Sequence, residues 1–105
     1  MPVVFSGVYN QIMQNMRVVD QIWQLVYSAF EGGHVQSVMP AFAAKGAVNE
    51  LQFRMMRSIA ALKTAQQSDL GGYIDAVRGD VLTACAMGWM SDELADRIHR
   101  LLDEL

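Results

Sequence analysis

The residues in this chain that could do chemistry are few and stand apart. His34 and His99 are the only histidines and Cys85 is the only cysteine. His34 falls in a glycine-flanked stretch and His99 on a charged helical run. Neither reads as part of a metal-ligand set or an acid–base pair. A single cysteine excludes an internal disulfide and any multi-thiolate metal site. Its place in the apolar run Val81-Leu82-Thr83-Ala84-Cys85-Ala86-Met87 predicts an inert, buried thiol. Gly32-Gly33 and Gly71-Gly72 are isolated pairs without the spacing of a phosphate-cradling loop. The eight methionines are scattered rather than clustered as thioether ligands would be, which predicts a packing role. The expectation is a non-enzymatic protein with no catalytic residue, metal or cofactor.

Two further motifs have functional readings. Arg78-Gly79-Asp80 spells an integrin-binding tripeptide, but that recognition needs an exposed loop and the triplet falls inside a predicted helix, so it reads as coincidence. Residues 81–105 have the outline of a DNA-binding helix-turn-helix, with a turn at Gly88-Trp89-Met90 and a second helix from Asp92. In that arrangement Arg97, His99 and Arg100 would face the nucleic acid. A recognition helix presents its first residues to base edges, however, and here those are Asp92 and Glu93. The net charge of −3, with eight basic residues scattered along the chain, supplies no field to attract phosphate. A nucleic-acid-associated regulator is therefore the alternative reading, and nucleic acid is a disfavoured partner.

The elements that would position any site read as an all-α protein. At 105 residues the chain makes one domain. Its organising stretch is Tyr9 to Phe30, where Tyr9, Ile12, Met16, Val19, Trp23, Val26 and Phe30 recur at steps of three and four, the spacing of a coiled-coil-like seam. This predicts a helix over about 7–31, with residues 1–6 as an extended arm and Gly32-Gly33 as the stop. Val8 and Ile22 widen the stripe on one side, Met13 and Tyr27 on the other, so the helix is expected to touch two neighbours. Residues 32–46 are irregular, with a short helix near Met39 and Phe42 at most. Further helices are predicted over 47–67, 70–87 and 92–105. The third of the four carries a stripe of small residues, Gly72, Ala76, Gly79, Thr83 and Ala86, expected to seat another helix closely at the centre of the bundle. Gly88 and Ser91 are the clearest boundary signals, a helix stop and an N-cap. The expected fold is a small bundle of three long helices plus one short irregular helix or loop, assembled as a dimeric helical bundle.

Composition points the same way. Apolar residues make up 52% of the chain and charged residues 18%, against about 25% charged in an average globular protein. The surplus is expected to be covered in an interface, because interface cores are depleted of charge. The lead expectation is thus a homodimeric interaction protein, a regulator, inhibitor or assembly factor that docks on another protein. Its candidate contact residues are the seam together with Met39, Phe42 and Trp89. No uncharged apolar run approaches the length of a membrane span, and the N-terminus lacks a basic signal-like start, so no membrane and a cytoplasmic location are expected. On the charge argument, gel retardation with mixed-sequence duplex DNA should show no shifted band even at low salt. A salt-sensitive shift would favour the helix-turn-helix reading instead.

Overall fold

The computed structural model describes the backbone of residues 2–31 and 42–105, and the side chains of residues 7, 9–30 and 46–105. Four helices account for nearly all of it: α1 (Pro2–Glu31), α2 (Phe42–Thr64), α3 (Gln67–Ala86) and α4 (Asp92–Asp103). There is no strand among the described residues, so the all-α expectation is met by three long helices and one of 12 residues. The loop expected over 32–46 falls largely outside the described residues.

Three helix starts differ from the sequence reading, each for a local reason, and α2 ends at Thr64 rather than at the expected 67. Helix α1 begins at Pro2, so the expected extended arm is helical. Proline suits the first helical position, where its missing N–H would have no intrahelical partner and its fixed φ is already helical. Helix α2 starts at Phe42 and runs through Gly46, which was expected to close the preceding loop. Gly46 is exposed, and tolerating glycine inside a helix costs only about 1 kcal/mol. Helix α3 starts at Gln67, ahead of the expected residue 70. Gln66 takes the N-cap position without a side-chain cap, its carbonyl accepts the Asp69 and Leu70 amides, and Asp69 lies in the first turn against the positive helix end.

The α3–α4 junction follows the sequence closely. Gly88 adopts φ +77°, the left-handed conformation that L side chains resist. Its amide donates to the Cys85 carbonyl at 3.0 Å and the Trp89 amide to that of Ala84 at 2.8 Å, the paired bonds of a Schellman stop. Ser91 then caps α4, its hydroxyl accepting the Leu94 amide at 3.2 Å. Met90 and Ala95 are both buried in the core, in the positions of a hydrophobic staple.

The helices form a closed ring in which α1 packs on α2 and α4, and α3 packs on the same two. The core is aliphatic, with Ile22, Met55, Ile59, Val77, Val81, Ile98 and Leu102 fully enclosed and Trp89 plugging one end. Each helix contributes at three- and four-residue steps, so one stripe per helix is enough to close the centre. The molecule measures 60 × 22 × 17 Å, and the 30-residue α1, roughly 45 Å long, is its longest described helix. Replacing Gly88 by alanine should destabilise the fold by about 1–2 kcal/mol, because the new side chain meets no neighbour and the cost is purely that of the left-handed backbone. Urea denaturation would measure it, and a change below a few tenths would contradict this account.

Candidate functional site

The seam of α1 divides lengthwise. The buried face is Val18, Val19, Ile22, Val26, Ala29 and Phe30. The bundle leaves a second apolar edge open: Tyr9 (63% exposed), Ile12 (53%), Met16 (40%) and Tyr27 (49%), with Trp23 half-buried among them. Of the seam residues named from the sequence, Val19, Val26 and Phe30 therefore belong to the protein's own core, whereas Tyr9, Ile12 and Met16 remain on the surface. Ile12 and Phe30 lie five full helical turns apart and therefore on the same azimuth, so the division of the seam is one of position along the helix rather than of face. Between Tyr9 and Met16 the α1 side chains are uncharged, and the first charge to interrupt the edge is Asp20. That carboxylate is engaged by Lys63 of α2 at 2.6 Å, bridging the groove beside Trp23.

Other sequence candidates fare differently. Trp89 is a core plug at 5% exposure and cannot serve as a surface anchor. The tight stop at Gly88 turns its ring inward. Met39 lies outside the described residues, as does the Phe42 side chain. His34 lies outside them too. The small-residue stripe of α3 is corrected: Gly72, Ala76, Gly79, Thr83 and Ala86 are all exposed, and a Cβ built on Gly72 or Gly79 would meet nothing within 4 Å. The bulky side of α3 faces the core because large side chains remove more apolar surface from water.

The Arg78-Gly79-Asp80 triplet has a structural role. Asp80 is buried, and the Arg54 guanidinium of α2 reaches it from the surface through Nη2 to Oδ1 at 2.7 Å and Nε to Oδ1 at 3.1 Å. The hydrogen bond and then the charge of Asp80 raise the Arg54 pKa above its usual value. The stabilisation this represents is fully present at and below the ordinary arginine range. It is lost only as pH rises through the still higher folded value, so the guanidinium stays charged at any physiological pH. Arg78 points the other way, donating to His99 Nδ1 at 3.2 Å and to the Asp103 carboxylate of α4. His99 can accept there only as the neutral tautomer protonated at Nε2. The sequence signal for this cluster is the four-residue step from His99 to Asp103, which reading His99 as isolated passes over.

Of the residues in the nucleic-acid alternative, His99 is thus half-buried and occupied, and Arg100 is paired with Asp96 on its own helix. Arg97 is exposed. Asp92 and Glu93 stand exposed at the start of the would-be recognition helix, where they would meet phosphate. Cys85 is half-buried, and burial, followed by the nearby Asp92 charge, pushes its thiol pKa up, away from the reactive thiolate. Among the described residues no three of His, Cys, Asp and Glu are grouped to hold a metal, and no helix is long and apolar enough to cross a membrane.

No protein-family model matches the chain, and no curated protein or solved structure matches it significantly.

The Arg54–Asp80 tie generates a stability prediction. Arg54→Met should cost about 1–3 kcal/mol by stranding a buried carboxylate, a range discounted because the guanidinium is itself largely in water. The double variant Arg54→Met/Asp80→Leu should recover part of that loss in thermal unfolding. If the single and double variants were equally unstable, the stranded charge would not be the cause.

Proposed function

We propose that this protein is a non-enzymatic interaction module that works as a homodimer and docks on another protein as a regulator, inhibitor or assembly factor. The observation that carries this reading is the open edge of α1. Tyr9, Ile12 and Met16 form an uncharged apolar strip along α1, continued past the Asp20–Lys63 pair by Trp23 and Tyr27. Monomeric proteins seldom leave such a strip to water, whereas aromatic residues and methionine are enriched where two proteins meet.

The strip suits a second copy of itself. An uncharged helix edge carries no electrostatic instruction that would repel an identical edge, and a two-fold pairing would bring the aromatic and aliphatic side chains of both chains together. Pairing would also cover the surplus of apolar residues evident in the composition. The remaining surface would then be available to the regulated partner.

Multi-angle light scattering at micromolar concentration should give twice the mass of one chain. Tyr9→Glu/Met16→Glu, which alters exposed side chains only, should weaken the dimer at least tenfold while leaving helical circular dichroism and thermal stability nearly unchanged. A wild-type mass of one chain throughout the micromolar range would sink the dimer. An unaltered dimer in the double variant would place the interface on another face.

A further inference from the structure

The ring of helices is tied by ion pairs at three of its four contacts. Lys63–Asp20 joins α2 to α1, Arg54–Asp80 joins α2 to α3, and Arg78–Asp103 joins α3 to α4. The α1–α4 contact carries no ion pair among the described residues, and here the surface opens into a groove of about 530 Å³. Leu25 of α1 and Leu101 of α4 contribute its apolar lining, with Gln21 and Gln24 on one bank and Arg97 and Arg100 on the other.

We infer that this groove receives an acidic amphipathic helix of a partner protein. The charge of the groove argues for an acidic occupant. Asp20, its one acidic lining residue, is paired with Lys63 at 2.6 Å, and two arginines stand against that single carboxylate in the lining. Arg97 makes no ion pair among the described residues, and Arg100 is held only by Asp96 of its own helix, an exposed neighbour that salt and water screen. A protein of net charge −3 therefore presents a locally positive trench. Gln21 and Gln24 on the opposite bank can be desolvated more cheaply than charges. The apolar lining argues for aliphatic side chains between the acids. The architecture argues for a helix, because a trench between two packed helices accepts the side-chain ridge of a third, and no strand edge exists among the described residues to pair with an extended peptide. The inference rests on the reading of the protein as a docking module. It uses a different surface from the proposed dimer edge, so the two can fail separately.

The test uses the full chain and three synthetic 15-residue helical peptides. One has leucines at i, i+3, i+7 and i+10 flanked by glutamates on an alanine background, the second has lysine for every glutamate, and the third has serine for every leucine. Fluorescence anisotropy and amide chemical shifts are the readouts. The acidic leucine peptide should bind at least tenfold more tightly than either control, weaken with added salt, and shift the amides of Gln24, Leu25, Arg97 and Leu101. Arg97→Gln should weaken it at least fivefold without changing the mass by light scattering, and Tyr9→Glu/Met16→Glu should leave peptide affinity intact. No binding at millimolar peptide, equal binding of the lysine peptide, or shifts confined to the outer edge of α1 would overturn the assignment. So would decanoate binding the groove as tightly as the peptide, which would make it a small-carboxylate site. A change of oligomeric mass in Arg97→Gln would likewise overturn it, by making the groove a contact between copies.

Discussion

The buried face of α1 spans Val18 to Phe30, and the rest of the molecule is arranged around that half-helix. Ile22 and Val26 are completely enclosed, and only side chains arriving from several directions at once can enclose them. Helices α2 and α4 flank α1 directly, and α3 closes the ring from the far side with Val77 and Val81. Because hydrophobic burial is non-directional, it explains the closing of the ring but not its register. Register is specified by polar ties at the margins, each joining neighbouring helices at one point. The Arg54–Asp80 pair, with its carboxylate buried, is the most demanding of these. A one-turn slip of α2 against α3 would leave that charge without its partner.

Helix α1 also carries a bank of each of the two surfaces proposed above for docking. A 12-residue α4 cannot cover a 30-residue α1. The segment from Tyr9 to Met16 therefore reaches beyond most of the core with apolar side chains in water. Farther along, where α4 does lie against α1, the contact is made without a crossing ion pair among the described residues, and the groove opens there. The proposed self-association edge is uncharged from Tyr9 to Met16, whereas the proposed groove for an acidic partner carries Arg97 and Arg100.

Much of the fold was legible because its signals are local. Gly88 stops α3 and Ser91 starts α4 through interactions that span at most five residues, so the sequence carries them in full. The core stripe of α2 (Val48, Leu51, Met55, Ile59 and Leu62) is equally local in character, since three-and-four spacing of large aliphatic residues marks one face of a helix. The candidate site was legible only in part. Tyr9, Ile12 and Met16 are recognisable as a stripe, but a stripe reads the same whether it faces a core or water. Trp89 shows the converse. Its type suggests an anchor, and the backbone turn that carries it directs it inward.

What the amino-acid sequence determined by itself was the helical character of the chain, the α3–α4 turn, the poverty of charge and the absence of a recognisable chemical motif, all properties of composition or short-range spacing. Tertiary structure decided which face of each helix is buried. It turned the Gly72–Ala86 stripe outward, split the α1 seam between core and surface, and sent Arg78 and Asp80 to opposite neighbours. The physical reason is that helical periodicity fixes which residues share a face but not what that face meets. The meeting depends on the combined volumes and lengths of four helices packing at once, and that quantity is contained in no single stretch of the chain.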